Sequence, residues 1–444
     1  MTPVIPPTLR QRVFRAGSWT LVGYGVNQAL RLGGNLILTR LLFPEAFGLM
    51  AIVSVVMYGV AMISDVGIGP SIVQKARGNE PAFLNTAWTI QIVRGFLMWV
   101  GLCVLALPIA GFYGEPLLAK MLPVVGLTAV ISGFNSTKLF TAQRNLEAAR
   151  VTQIGIGTYI LGLLSMVFLA WFLRSVWALV WGSLISACLK MLASHLLLHG
   201  TRNRIAWDRD ALDHMVGFGR WILLSSTLTF LSTEGSRLLI GALLDMRQLA
   251  LFTLASTMNL LFWVAMLKLA ENVFFPAYSE LYRTSPKKLM AALYKARLTL
   301  ILPNWGAAIF FVFLGGPLMS VLYDERYHGS GLMLELLAAG SLVGCLWGSY
   351  TGVLLATGKV ATQALLTVTQ IILQFGGMFL GYHYGKGTGI VIGLAAANWI
   401  MYPVYALVMH RNGLWQARLD VIFLAASVLM VVLAWPHLTL NSGP

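Results

Sequence analysis

Two arginines stand inside long apolar stretches, Arg31 in SWTLVGYGVNQALRLGGNLIL and Arg237 in TLTFLSTEGSRLLIGALL. A guanidinium stays charged at any physiological pH and presents a planar fork that matches phosphate oxygens in pairs. A charge placed in hydrocarbon is costly and by default faces a bundle interior or a watery cavity. Arg94 and Lys268 lie in apolar stretches as well, so Arg31, Arg237, Arg94 and Lys268 are the candidates for holding an anionic group such as a pyrophosphate.

Hydrogen-bonding residues recur beside them at three- or four-residue spacing, which puts them on one helical face. Thr20, Tyr24, Asn27 and Asn35 accompany Arg31, and Ser226, Thr229 and Thr233 accompany Arg237. Gln363, Thr367, Gln370 and Gln374 form a third such stripe. Hydroxyls and amides, with the rings of Tyr24, Tyr58, Trp88 and Trp263, suit sugars. Glu234 and Asp65 are the candidates for ion coupling, because an acid can change charge in each cycle. Lys268 and Glu271 are three apart and could pair. The competing reading is that Ser, Thr, Asn and Gln join helices to one another, and that Arg94 and Lys268 snorkel to an interface.

The elements that position these residues follow from composition. The chain has 444 residues, 58% hydrophobic and 11% charged, against about 25% charged in soluble domains. Its apolar residues fall in blocks of about 20, the length that spans a bilayer as a helix. Spans are expected near 17–38, 46–67, 85–107, 117–137, 152–173, 176–198, 216–236, 247–270, 296–316, 331–356, 361–382 and 388–409, with a thirteenth candidate at 418–436. Basic residues concentrate on the side of the N-terminus, from Arg10, Arg12 and Arg15 through Arg202, Arg204 and Arg209 to Arg283, Lys287, Lys288, Lys295 and Arg297. The other side holds only Arg40, Lys120, Arg174, Arg247, Arg326 and Lys386. That bias puts the N-terminus in the cytoplasm. It accounts for the net charge of +15 as a topology signal and headgroup contact, so nucleic acid is not expected. SPKKLMAALYKARL reads as an amphipathic helix at the interface.

The halves repeat. NLILTRLLFPEAFGLMAIVSVV from Asn35 aligns with RLLIGALLDMRQLALFTLASTM from Arg237, and the same shift superposes Asn27, Arg31 and Asn35 on Thr229, Thr233 and Arg237. An even number of spans between copies implies parallel repeats. The expected fold is all-α, with 12–13 spans, 14-like at most, in two six-helix lobes around a central cavity. The expected divisions are 1–200 for the first lobe, 201–214 for a cytoplasmic linker, 215–410 for the second lobe and 411–444 for a tail with an extra helix.

No GxxxxGK[ST] loop appears, so no nucleotide is implied. The glycine clusters at span ends terminate helices. His195 and His199 are four apart but lack a third ligand, and Cys103, Cys188 and Cys345 sit singly in apolar blocks. No residue set reads as catalytic and none as a metal site.

The stretches TRLLFPEAFGLMAI, SDVGIGPSIVQ, TAQRNLEAARV, RLLIGALLDMRQLALFTLAS and NVFFPAYSEL together resemble the polysaccharide transporter family. These are the Wzx-type and related oligosaccharide flippases of the multidrug/oligosaccharidyl-lipid/polysaccharide exporter superfamily. The resemblance implies alternating access and movement of a polyprenyl-pyrophosphate-linked repeat unit from the cytoplasmic to the periplasmic leaflet for exopolysaccharide or O-antigen synthesis. It implies a monomer in the bacterial inner membrane among membrane lipids, with a polymerase and glycosyltransferases as partners. No cofactor is expected, apart from coupling to a proton or sodium gradient. Family members often carry an acidic residue near 234–236, a place Glu234 can fill. Two rival readings are a multidrug or metabolite antiporter of the same fold and a membrane glycan ligase or polymerase. The first would prefer acids in the cavity, and the second would need a long external loop.

Overall fold

The computed structural model describes residues 9–64, 67–74, 76–145, 147–208, 227, 229–270 and 274–440. These residues are predominantly helical, with no strand among them. Among the described residues, ten helices are long and apolar enough to cross a membrane. Within lipid the backbone must satisfy its own hydrogen bonds, and a helix does so within one segment.

The chain divides into two compact units, Met1–Phe230 and Leu231–Pro444. The first holds α1 (Leu9–Leu41), α2 (Pro44–Ile63), short α3 (Ile68–Gln74), α4 (Pro81–Tyr113), α5 (Pro116–Gly133), short α6 (Lys138–Arg144), α7 (Ala148–Leu173) and α8 (Trp177–Leu196). Helix α9 covers 229–243. The second unit continues with α10 (Met246–Leu269), short α11 (Phe275–Thr284), α12 (Pro286–Leu322), α13 (Gly329–Gly348), short α14 (Thr351–Ala356), α15 (Val360–Arg411) and α16 (Ala417–Leu440). Helix α15 is two helices joined at a break, where Gly385 and Lys386 leave helical geometry and Lys386 takes a φ of 46°.

The succession from α2 to α8 thus recurs from α10 through both arms of α15, which bears out the parallel repeat. Even the short helices correspond. Gly69 of α3 lies against the Phe140 ring of α6, and Gly352 of α14 lies against the Tyr278 ring of α11. Burial pushes the Tyr278 phenol well above its ordinary range. Helix α16 has no counterpart.

Glycine sets how closely neighbours approach. Gly95 of α4 lies on the Ala129 carbonyl of α5, and Gly162 of α7 lies on Ser186 of α8. In α15, Gly377 and Gly381 of one arm meet Gly393 and Gly389 of the other, backbone on backbone. Two GxxxG faces allow this contact, and small residues at that spacing let helices in lipid approach to backbone distance.

The chain divides at Phe230/Leu231, within the described span of α9; of the expected linker at 201–214, residues 209–214 lie outside those described. The described part, 201–208, is strapped onto the first unit. Arg204 N donates to Asn85 Oδ1 at 3.0 Å, Ala206 N to Thr89 Oγ1 at 3.1 Å and Asp208 N to Thr86 Oγ1 at 2.9 Å. One expectation changes: the stretch SPKKLMAALYKARL is not a separate interfacial helix. Pro286 at the first helical position starts α12 there, and the helix runs on for 37 residues, about 55 Å. The short amphipathic helix is its predecessor, α11.

Candidate functional site

On α1, the glycines face α7: Gly23 lies against Thr152 and Gly34 against Leu163. That packing turns the neighbouring face of α1 outward. Arg31 is exposed there, Asn27 and Asn35 are half-buried, and the Asn35 carbonyl accepts from Thr39 Oγ1 at 2.8 Å. The Arg31 charge acts on the phenols of both Tyr24 and Tyr159, the latter from α7. The Tyr24 hydroxyl is buried with no hydrogen-bond partner among the described residues. Buried polar groups are normally bonded, so an unsatisfied hydroxyl within the field of an exposed guanidinium is a place where a ligand oxygen fits. Tyr159 escaped the sequence reading, which followed one helix at a time and so could not see what α7 brings to α1.

On α9, Thr229 and Thr233 are exposed and Gly235 packs against the Phe375 ring of α15. Arg237 Nη1 donates to Glu234 Oε2 at 2.6 Å, with about a fifth of each side chain exposed. Sequence reasoning gave these two residues separate tasks, anion binding and ion coupling. The structure joins them, because i and i+3 lie on the same helical face. Arg237 is thus charge-balanced in this arrangement.

The other candidates scatter. Arg94 is half-buried and turns to the C-terminal end of α2, donating from Nε to Ser64 Oγ at 3.1 Å and from Nη2 to Ala61 O at 2.6 Å. It satisfies orphan acceptors there, as cations do at helix C-termini. Lys268 is exposed in the last turn of α10. Asp65 and Glu271 lie outside the described residues. Gln363 donates to the Tyr405 hydroxyl at 3.3 Å across the two arms of α15, and Thr367 Oγ1 donates to the Gln363 carbonyl at 3.0 Å. Gln370 and Gln374 are half-buried. That stripe joins helices at its Gln363 end, as the competing reading of it proposed.

Of the aromatic candidates, Trp88 donates to the Phe134 carbonyl at 3.4 Å and Trp263 packs over Gly348, so both serve packing. Tyr58 is exposed beside the Phe230 ring. His195 Nε2 meets the Phe134 carbonyl at 2.8 Å; a carbonyl only accepts, so that nitrogen carries the hydrogen.

The second unit also holds two charge clusters that the sequence reading missed. Arg297, placed there among the loop charges, is fully buried on α12. It bonds Asp420 of α16 at 2.5 Å, Ser349 Oγ at 2.8 Å, the Tyr350 hydroxyl at 2.7 Å and the Leu346 carbonyl at 3.1 Å. Tyr350 in turn donates to Asp420 at 2.8 Å. Every group is answered, so this cluster has the character of a staple. The second cluster is Glu335 of α13 with His437 of α16, 3.3 Å apart. The signal for both was a lone acid in an apolar run, LEL in α13 and LDV in α16, and the reading attended to cations instead.

The sequence matches the family described as polysaccharide biosynthesis protein over residues 37–331. It is 19% identical to the lipopolysaccharide biosynthesis protein WzxC of Escherichia coli (strain K12) over 387 residues, 87% of this chain and 78% of that one. It is 20% identical to the succinoglycan biosynthesis transport protein ExoT of Rhizobium meliloti (strain 1021), over 93% of this chain and 82% of that one. Among solved structures, a multidrug resistance MATE family transporter of the MOP superfamily superposes with a TM-score of 0.70 at 16% identity, covering 87% of this chain and 94% of that one. A MOP superfamily transporter from Pyrococcus furiosus superposes with a TM-score of 0.58 at 16% identity, over 90% of this chain and 95% of that one. These two likenesses show the fold. The family match, which spans both units, and the bundle of membrane-crossing helices show that this chain belongs to the polysaccharide biosynthesis protein family as a multi-pass membrane member.

Proposed function

We propose that the protein is a flippase that moves a polyprenyl-pyrophosphate-linked oligosaccharide from the cytoplasmic to the periplasmic leaflet of a bacterial inner membrane by alternating access. The observation that carries the reading is the exposed Arg31 on α1, two turns along the same helix from the buried Tyr24 hydroxyl. A guanidinium with no acid partner among the described residues suits phosphate oxygens. Asn27 and Asn35 on the same helix supply amides for the first sugar. The names of the relatives, a lipopolysaccharide biosynthesis protein and a succinoglycan transport protein, support a glycan as the cargo. A cationic drug is a poorer match, since the described acid of the α9 face, Glu234, is already tied to Arg237. Glu234 exchanging Arg237 for a proton or sodium ion would supply the coupling step.

The test is translocation of a fluorescent polyprenyl-pyrophosphate oligosaccharide in proteoliposomes by the wild type, Arg31→Ala, Arg237→Ala and the double variant. Loss of translocation in the correctly inserted Arg31→Ala protein is the expected result. Full activity in the double variant would remove the arginines from the site. Transport of a cationic dye in place of the glycan would move the protein to the antiporter class.

A further inference from the structure

Helix α16 touches its unit along one narrow line. Asp420, Ser427 and Ala434, seven residues apart, are fully buried, while Ile422, Leu429, Val432 and Trp435 are exposed. A repeat of seven keeps one seam facing a partner helix, and the rest of α16 is left for lipid. The polar attachments along the seam include Asp420 to Arg297, Ser427 to the Trp305 Nε1 donor at 2.9 Å, and His437 to Glu335. The outer two differ in kind. Arg297 and Asp420 are both wholly buried, and arginine does not release its proton in proteins. At the other end Glu335 is wholly buried but the His437 side chain is 42% exposed.

Glu335 is half-answered. Its Oε1 accepts from Gly316 N at 2.8 Å and from His437 Nε2 at 3.3 Å. Its Oε2 is buried with no hydrogen-bond partner. Gly315 and Gly316 make room for this side chain, since a Cβ on Gly315 would strike the Glu335 Cγ and one on Gly316 its Oε1. A buried carboxylate is costly unless paired, and here the pairing charge exists only while the imidazole is protonated. The other ionisable groups at this end of the elements packed on α13 include Tyr323, Asp324, Glu325, Arg326, Tyr327 and His328 at and after the end of α12, Asp245 and Arg247 at the start of α10, and Tyr382, His383, Tyr384 and Lys386 at the α15 break. None of them bonds Glu335 among the described contacts, and Arg326 is occupied with Asp324 at 2.7 Å.

We propose that Glu335 and His437 form a proton-binding site in the second unit, with His437 as the port through which Glu335 exchanges protons with solvent and α16 as the element whose end the site holds. An imidazolium passes its Nε2 proton to the Glu335 carboxylate, leaving neutral imidazole, which takes another proton from water; no other bond changes. With the proton on His437 the ion pair clasps the α16 end, and with both groups deprotonated the clasp opens while the Asp420 end stays fixed. The site is separate from the Arg31 face and does not rest on the proposed cargo.

Full-length protein in detergent micelles is treated with dicyclohexylcarbodiimide, which reacts with a protonated carboxyl in apolar surroundings. Adduct on the peptide containing Glu335 is quantified by mass spectrometry from about pH 4 to about pH 8, a range that brackets the ordinary Glu and His values. The wild type should be labelled there, decreasingly as pH rises. Glu335→Gln should show no adduct on that peptide, and His437→Gln, a change at a part-exposed position, should displace the labelling profile along the pH axis, because coupled groups titrate together. Absence of adduct at every pH, or a His437→Gln profile that superimposes on the wild type, overturns the proposal. The readout is the proton on Glu335, so it stands whether or not the protein moves a lipid-linked glycan.

Discussion

In the unit Met1–Phe230 Arg31 on α1 is exposed and has no acid partner among the described residues. In the unit Leu231–Pro444 the corresponding helix pairs Arg237 with Glu234, and deeper in the same unit Arg297 is closed onto Asp420. The two units descend through the same succession of helices, yet one presents its charge and the other neutralises it. Fold repetition therefore leaves electrostatics free to diverge: a helix pair held by glycine contacts tolerates any residue on its outward face. The first unit has the character of a binding face, and the second that of a stiffened counterpart with its polar chemistry turned inward.

The strongest way to break this contrast is to attack the staple. Arg297→Ala or Asp420→Ala leaves an uncompensated buried charge, which costs about 3–5 kcal/mol. Thermal unfolding in detergent should show a large drop for either variant. The double change Arg297→Met with Asp420→Leu should recover part of the loss, because both charges leave together. If each single variant is as stable as the wild type, the second unit is not stiffened by this pair.

Packing in the same unit offers a second strong test. A side chain at Gly389 would collide with the Gly381 carbonyl on the opposite arm of α15. Overpacking of this kind costs about 1–3 kcal/mol, so Gly389→Ala should lower the unfolding temperature, and Gly25→Ala, which meets open space on α1, should not.

The contrast sharpens on function rather than stability at Arg31. Arg31→Ala removes no bond among the described residues, so unfolding should shift by less than about 0.5 kcal/mol while glycolipid translocation falls. Glu234→Gln should have the reverse sense: it leaves the Arg237 charge without its partner and makes the second unit resemble the first. Higher affinity for an anionic headgroup in that variant would confirm the comparison, and an unchanged affinity would show that Arg237 is remote from the cargo.

Much of this was legible in the sequence because periodicity and length are set locally. Blocks of about 20 apolar residues and the repeated RLL segments foretold the helices and the repeat, and the thirteenth candidate at 418–436 matches α16. Partnerships were not legible. Glu234 was read as lying off the stripe that Arg237 completes, although three residues along a helix is contact distance. Arg297 read as a loop charge because the basic run SPKKLMAALYKARL hides where α12 enters the bundle, and nothing local reveals that Asp420 waits 123 residues on. Tyr159 joins Arg31 only through the α1–α7 packing that Gly23 and Gly34 permit.

The smallest expected effect lies in the strap 201–208 of the first unit, and it separates charge from hydrogen bonding there. Arg77 bonds Glu80 at 2.8 Å and Asp208 at 3.3 Å, but its side chain is 44% exposed. Surface ion pairs of this kind contribute about 0–1 kcal/mol, so Arg77→Ala should barely move the unfolding temperature and should leave the strap protected from proteases. Thr86 is fully buried, donates to the Ala82 carbonyl and accepts the Asp208 N–H. Thr86→Val keeps the shape and leaves that backbone donor unanswered, a loss of about 1–3 kcal/mol. If instead Arg77→Ala frees the strap to proteolysis and Thr86→Val does not, surface charge holds the first unit together as well, and the difference between the two units is one of degree.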